Sequence, residues 1–196
     1  MFKFINDILD SLKIINSQNY YHNDVKPPNI IKSGDKYILI DWGASKKITS
    51  IDEWKYRGDP VYSSNAKMKF SFPLLKYNNI PLDTLYSEIK IGKKDWSFLD
   101  NKKYEIIKAF LRIKFDEYKN LKLTDNDLFN NFYKSSDIYM LGLTILFILI
   151  RYDYVIIENN ILKPNKTYVN DSDFIQKIVD KVNEFTSLKN PFNNQI

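Results

Sequence analysis

The chain has 196 residues, of which 44% are hydrophobic and 15% are aromatic, so it suits a single domain with a sizeable core. It contains no cysteine, which excludes disulfide bonds and thiolate metal sites. The net charge of +5 arises mainly from lysines dispersed along the chain, and such dispersal indicates a solvated surface and not a nucleic-acid interface.

The first predicted element is a helix over residues 3–17. Its apolar side chains recur at helical spacing, at Ile5, Ile8, Leu9, Leu12 and Ile15. Asn6, Asp7 and Asp10 interrupt the same stretch, so it lacks the continuous apolar region of a secretory signal. Since the chain also has no cysteine, a cytoplasmic location is expected.

A β hairpin is predicted after this helix. Two short apolar runs, residues 29–32 and 36–40, lie on either side of residues 33–35, with Gly34 in the turn. Residues 44–68 show no periodicity and are predicted to form a loop.

Four helices are predicted in the second half of the chain. One begins at the candidate N-cap Asp100 and shows helical spacing as far as Tyr118. A shorter helix is predicted over residues 125–133. The last begins behind Asp171 or Ser172. Its apolar positions are Phe174, Ile178, Val182 and Phe185.

The remaining helix, over residues 136–151, is apolar on all sides, which predicts a buried central helix. Its apolar run from Ile138 to Ile150 has 13 residues, whereas a helix that crosses a membrane needs about 20. No transmembrane segment is therefore expected.

The residues with the clearest chemical pattern surround the predicted hairpin. The segment His22-Asn23-Asp24-Val25-Lys26-Pro27-Pro28-Asn29 precedes it, and Asp41-Trp42-Gly43 follows it. Together these segments resemble the catalytic loop and the metal-binding segment of protein kinases, with tryptophan in the middle position of the second. A hairpin between them would hold its flanking residues at a fixed separation, as metal ligands require.

The resemblance implies a role for each polar residue in the transfer of a phosphoryl group from ATP. Asp24 would orient the attacking hydroxyl and accept its proton, and Lys26 would stabilise charge on the transferred phosphoryl group. Asn29 and Asp41 would bind Mg²⁺ next to the nucleotide phosphates. The implied cofactors are ATP and Mg²⁺, and the implied substrate is a protein.

Two later segments extend the resemblance. Residues 57–65 resemble the end of an activation segment, and their Ser-Ser-Asn ending is similar to that of poxviral and casein kinase 1-like kinases. Residues 136–142 resemble the start of the kinase central helix, in which Asp137 would brace the catalytic loop. A simpler interpretation of Asp137 is a cap at the N-terminus of a buried helix, and the two roles are compatible.

The chain departs from the kinase pattern in several places. Its five glycines form no glycine-rich phosphate loop, and no strand lysine with a helix glutamate partner precedes the first helix. A separate N-lobe or a partner protein is therefore expected to complete the nucleotide site. Asn23 replaces the arginine that usually binds an activation-segment phosphate, and Asp59 replaces the usual threonine. Residues 66–134 form an unusually long insertion.

The predicted fold class is α+β and mainly helical: a protein-kinase-like C-lobe, residues 1–196 as a single domain, with a small β hairpin and no N-lobe. The predicted function is that of a serine/threonine protein kinase catalytic lobe, similar to the poxviral kinases. One alternative is an inactive pseudokinase or truncated relic that acts as a binding module. Another is a small-molecule phosphotransferase similar to aminoglycoside or choline kinases, against which Lys26-Pro27 and residues 57–65 argue.

Overall fold

The computed structural model describes residues 1–50, 100–119, 124, 135–168 and 171–186, which form helices and small antiparallel sheets. The helices are α1 (Phe2–Ser17), α2 (Asn101–Lys119), α3 (Ser136–Arg151) and α4 (Ser172–Phe185). The strands are β1 (Tyr20–Tyr21), β2 (Ile30–Ser33), β3 (Lys36–Leu39), β4 (Lys46–Lys47), β5 (Val155–Glu158) and β6 (Ile161–Pro164). They pair as β1 with β4, β2 with β3 and β5 with β6.

Helix α1 confirms the helix predicted over residues 3–17. Its buried side chains are Phe4, Ile5, Ile8 and Leu12. Beyond the end of the helix, Asn19 turns the chain into β1 with a φ of 61°, a conformation that asparagine tolerates better than most residues. The helix and this turn deliver the chain to the predicted catalytic loop.

The β2–β3 hairpin is also confirmed. Gly34 lies in its two-residue turn with a φ of 57°, which favours glycine. The pairing extends beyond the strands, because the Ile40 N–H donates to the Asn29 carbonyl over 2.9 Å. The hairpin therefore holds Asn29 opposite the residue that precedes Asp41.

A carboxylate on α1 covers the open edge of this hairpin. The Tyr37 N–H donates to Asp7 Oδ2 over 3.0 Å, and the Lys3 ammonium lies 3.2 Å from the same oxygen. An edge N–H without a partner is a site for unwanted strand pairing, so the contact protects the edge as well as fixing the hairpin against α1. The Tyr37 N–H and then Lys3 lower the pKa of Asp7.

The prediction of a loop over residues 44–68 is wrong at its beginning. Strand β4 pairs with β1 there, in an antiparallel register that places Tyr21 opposite Lys46. A strand of two residues cannot show the alternating pattern by which strands are predicted. The rest of the predicted loop, residues 51–68, lies outside the described residues.

Helix α2 confirms the helix predicted from Asp100. The Lys103 N–H donates to Asp100 Oδ1 over 2.8 Å, so Asp100 is the N-cap. The buried side chains of α2 include Ile107, Phe110 and Leu111. The helix predicted over residues 125–133 and the segment 57–65 lie outside the described residues, as does most of the predicted insertion 66–134.

Helix α3 lies at the centre of the core, which confirms the prediction for residues 136–151. Fourteen of its 16 residues are buried. It packs against α1, α2, α4 and β5, which cover nearly all of its surface. Among the described residues, none of the helices combines the length and the apolar character that crossing a bilayer requires.

The β5–β6 hairpin follows α3 and was not predicted. Asn159 and Asn160 form its turn with φ values of 52° and 58°. A type I′ turn requires positive φ at both central positions, and asparagine adopts such values readily. The pair of asparagines between two apolar runs was therefore a usable signal for this hairpin.

Helix α4 confirms the last predicted helix. Asp171 is its N-cap, because Asp171 Oδ1 accepts from the Phe174 N–H over 2.8 Å. Phe174, one of the apolar positions that marked this helix, is 38% exposed and makes a T-shaped ring contact with Phe2. The buried side chains are Ile175, Ile178, Val179, Val182 and Phe185.

Candidate active site

The predicted catalytic loop, residues 22–29, joins β1 to β2. It ends in a single 3-10 turn over Pro27–Asn29. Proline suits the start of such a turn, because the first N–H groups of a helical turn have no partner within the turn. The turn reverses the chain and brings Asn29 back towards Asp24.

Three of the predicted site residues converge on one carboxylate oxygen. Lys26 Nζ lies 2.9 Å from Asp24 Oδ2, and Asn29 Nδ2 donates to the same oxygen over 3.0 Å. Asn29 Nδ2 also donates to the Asp24 carbonyl over 2.9 Å. Both bonds of Asn29 use its amide nitrogen, so neither of them involves its Oδ1. Asp24 and Asn29 are buried, whereas Lys26 is partly exposed.

The fourth predicted site residue, Asp41, lies directly after the hairpin. Its backbone is left-handed, with a φ of 61° and a ψ of 70°, and its side chain is exposed. Within the described part of the chain, Asp41 makes no hydrogen bond or ion pair with Asp24, Lys26 or Asn29. The structure thus brings three predicted residues into contact and connects the fourth through the backbone pairing of Ile40 with Asn29.

His22 connects the catalytic loop to the segment around Asp41. Its Nε2 lies 3.1 Å from the Ile40 carbonyl and its Nδ1 lies 3.3 Å from the Asp24 N–H. Because a carbonyl only accepts hydrogen bonds, the contact with Ile40 requires Nε2 as the donor, and Nδ1 accepts from the Asp24 N–H. The imidazole also contacts the Trp42 ring edge-on, with 4.7 Å between centroids.

Asp137, at the start of α3, binds the backbone of the catalytic loop. Its Oδ2 accepts from the His22 N–H over 2.8 Å, and its Oδ1 accepts from the Asn23 N–H over 2.9 Å. Asn16 Nδ2 donates to Oδ2 over 3.1 Å. Burial raises the pKa of Asp137, and the three donors oppose this effect by favouring the carboxylate.

These contacts show how far each of the two predicted roles of Asp137 applies. The N-cap of α3 is Ser135, and no side chain makes a capping hydrogen bond there. Both oxygens of Asp137 face residues that are more than 110 positions away in the sequence. Asp137 therefore braces the loop and makes no capping hydrogen bond, while its carboxylate lies in the first turn of α3.

Asn23 has a structural role that sequence reasoning missed. Its Nδ2 donates to the Tyr21 carbonyl over 2.8 Å and to the Ala44 carbonyl over 3.2 Å. Ala44 ends the 3-10 turn that begins at Trp42. The sequence identified Asn23 only as the residue that replaces an arginine. Its contact with Ala44 could not be predicted, because that contact depends on how the chain folds back.

The described residues contain no cluster of three or more His, Cys, Asp or Glu side chains that could hold a metal ion. The two predicted ligands, Asn29 and Asp41, offer one amide oxygen and one carboxylate. Such a pair fits Mg²⁺, which commonly takes one or two protein oxygens and completes its octahedron with phosphate oxygens and water. The donor set is therefore compatible with a nucleotide-bound magnesium ion.

Comparison with known proteins relates part of the chain to protein kinases. Over 67 residues it is 39% identical to the probable serine/threonine-protein kinase FPV212 of fowlpox virus, a match that covers 33% of this chain and 22% of that protein. Over 72 residues it is 33% identical to the serine/threonine-protein kinase KSP1 of Saccharomyces cerevisiae, which covers 33% of this chain and 7% of that protein.

The relationship is partial. The chain spans about a fifth of the length of the fowlpox protein and less than a tenth of the yeast protein. No protein-family model matches the chain, and no solved structure does. The similarity therefore supports a kinase-like function at the level of the family, over about a third of the chain.

Proposed function

We propose that the chain is the catalytic lobe of a serine/threonine protein kinase, which transfers the γ-phosphoryl group of ATP to a protein hydroxyl. The observation that carries this proposal is the convergence of Lys26 and Asn29 on one oxygen of the Asp24 carboxylate. The partial similarity to two serine/threonine protein kinases supports it.

The fold proposed for this lobe is that of a kinase C-lobe, with residues 1–196 as one domain. Two features support it: the hairpin that separates Asn29 from Asp41, and the brace from Asp137 on the central helix to the catalytic loop. A separate N-lobe or a partner protein is proposed to supply the remaining contacts to the nucleotide.

Asp24 is the proposed base. Its Oδ2 is engaged by Lys26 and Asn29, so its Oδ1 is the oxygen available to accept a hydrogen bond from the substrate hydroxyl. The hydroxyl oxygen attacks the γ-phosphorus, its proton passes to Asp24, and the bond from that phosphorus to the bridging β-phosphate oxygen breaks. The Lys26 ammonium stabilises negative charge on the transferred group.

Asn29 and Asp41 are the proposed magnesium ligands. When bound with ATP, Mg²⁺ neutralises charge on the phosphates. The hydrogen bonds from Asn29 Nδ2 to Asp24 fix the carboxamide plane, so Oδ1 points away from Asp24 and can serve as a ligand. Asp41 contributes an exposed carboxylate from the end of the hairpin.

The proposed function is tested by the substitution Asp24→Asn, which keeps the size of the side chain and removes the base. We expect transfer of ³²P from magnesium ATP to a serine-containing protein to fall by about 10²- to 10⁴-fold, the usual contribution of a general base. Asp35→Asn, in the exposed turn of the same hairpin, is the matched control and should leave transfer unchanged. Equal activity in the two variants would contradict the assignment.

The same assay separates the alternatives. Binding of magnesium ATP without transfer to any protein would favour a binding module, and transfer only to an aminoglycoside or to choline would favour a small-molecule phosphotransferase. Lys26→Met provides a second check, since it should lower the maximal rate with little change in circular dichroism. A Lys26 variant with full activity would remove the proposed electrostatic role of the ammonium.

A further inference from the structure

The residues on both sides of Asp41 are held by two consecutive residues of the catalytic loop. His22 binds the Ile40 carbonyl before Asp41, over 3.1 Å, and Asn23 binds the Ala44 carbonyl after it, over 3.2 Å. Asp41 itself is exposed and has the left-handed backbone. Its orientation therefore depends on how firmly these two anchor points are fixed.

The anchor through Asn23 has a well-defined chemistry. Both partners of Nδ2, the carbonyls of Tyr21 and Ala44, are acceptors only, so the side chain must present its amide nitrogen to them. Asn23 adopts a φ of 62°, and its own N–H donates to Asp137 over 2.9 Å. The side chain is buried and both of its N–H groups have partners.

We propose that Asn23 is a positioning residue, which fixes the turn after Asp41 against the catalytic loop and thereby sets the direction of the Asp41 carboxylate. The described anchor consists of two backbone carbonyls and one amide, so it needs no phosphate group. The effect of this anchor on metal binding rests on the proposed kinase function. The anchoring of the turn by Asn23 does not depend on that function.

Trp42 reports on the anchor without metal or substrate, because it lies inside the turn that Asn23 holds. The chain has three tryptophans, and replacing Trp54 and Trp96 by phenylalanine leaves Trp42 as the only indole. Trp42 is 43% exposed and contacts His22, so release of the turn should raise its quenching by acrylamide about twofold.

The test variant is Asn23→Gly, which permits the positive φ and removes only the amide. Asn159→Gly is the matched control, since Asn159 has a φ of 52° in the turn of the β5–β6 hairpin. We expect increased quenching of Trp42 in Asn23→Gly and unchanged quenching in Asn159→Gly. Asn23→Asp keeps the shape of the side chain but places a carboxylate against two carbonyl oxygens. Because none of these oxygens can donate a hydrogen bond, this variant should release the turn further.

Unchanged quenching in Asn23→Gly and Asn23→Asp, with native circular dichroism, would overturn the proposal. Where the protein transfers phosphate, the magnesium concentration that gives half the maximal rate should rise about tenfold in Asn23→Gly. This factor corresponds to the loss of one or two net hydrogen bonds. A wild-type protein that transfers no phosphate even when a kinase N-lobe is fused to it would refute the proposed function, and the quenching measurement would still decide whether Asn23 anchors the turn.

Discussion

The loop region, residues 20–48, and the helical region, α3 with α4, are stabilised in different ways. In the loop region, polar groups are buried and each has a specific partner; they are His22, Asn23, Asp24 and Asn29. In the helical region, fourteen of the 16 residues of α3 are buried, and most of them are apolar. Directional bonds fix the first region, and close packing fixes the second.

The difference implies that the two regions respond to different kinds of substitution. In the loop region, a substitution that replaces a polar atom without changing the volume should lower the stability, because a buried donor without a partner is costly. In the helical region, a substitution that changes the volume of an apolar side chain should lower the stability, because a packed interior has few voids. Asp137 belongs to both, since it lies on α3 and binds the loop.

The largest effect is expected for Asp137→Ala, which leaves the buried N–H groups of His22 and Asn23 without their acceptor. Each buried donor without a partner costs about 1–3 kcal/mol, so the free energy of unfolding should fall by about 2 kcal/mol or more. Urea denaturation followed by circular dichroism measures it. The control Leu146→Met conserves volume in α3 and should cost less than about 1.5 kcal/mol. If the free energy of unfolding falls equally in the two variants, the loop region and the helical region do not differ in the way described.

The second prediction concerns Gly142, where α3 meets the end of α4. A Cβ there would lie 2.8 Å from Thr186 Cγ2 and 3.0 Å from Phe185 Cβ. Alanine gains about 1 kcal/mol of helix propensity, whereas overpacking costs about 1–3 kcal/mol, so Gly142→Ala should be net destabilising by about 1 kcal/mol.

A second-site variant checks this cause. Thr186→Ser removes Cγ2 and keeps the hydroxyl that donates to the Val182 carbonyl over 2.7 Å. In a double-mutant cycle, it should recover part of the stability lost in Gly142→Ala. If the single variant Gly142→Ala is more stable than the wild type, α4 shifts to accommodate the added methyl group. Packing at this contact is then looser than in the loop region.

The third prediction tests the contact between α1 and the β2–β3 hairpin. The pKa of Asp7 is lowered in the folded protein by the Tyr37 N–H and Lys3, so its stabilising effect is present at neutral pH and is lost as the pH falls through the folded pKa. Asp7→Asn should therefore lower the melting temperature at pH 7 and have little effect near pH 2. A loss of the same size at both pH values would show that the charge has no part in the contact.

The smallest effect at neutral pH is expected for Tyr21→Phe. Burial, together with the charge of Asp137, raises the pKa of Tyr21 to about 12. Because the unfolded chain releases this proton at a pH of about 10, the stability due to Tyr21 is lost as the pH rises from about 10 to 12. Urea denaturation at several values in this interval should show a shallower decline for Tyr21→Phe than for the wild type.

Most of the helices and one hairpin could be predicted from the sequence, because their apolar side chains repeat over several turns or sit on either side of a glycine. The boundaries of α1 and α3 agree with prediction to within one residue. The β1–β4 pair could not be predicted in this way, since two residues carry no period. Phe174 fits the helical spacing used in the prediction, but the buried residue at this end of α4 is the next one, Ile175.

For the candidate site, the sequence predicted residue types and order, and the structure adds contacts. Asp24, Lys26 and Asn29 were named from the resemblance to the kinase catalytic loop, and Lys26 and Asn29 both contact Asp24. Asn23 was missed because its partner carbonyl on Ala44 has no signature in the sequence. A hydrogen bond to a backbone carbonyl depends on the path of the chain and not on the residue that supplies the carbonyl.

The brace from Asp137 also has a consequence for the order of events during synthesis. His22 and Asn23 leave the ribosome more than 110 residues before the carboxylate that binds their N–H groups. Contacts of such long sequence separation form late, because closing the intervening chain costs entropy. A ribosome-bound nascent chain that stops before residue 137 therefore carries every residue of the Asp24 cluster but lacks the group that holds their backbone in place.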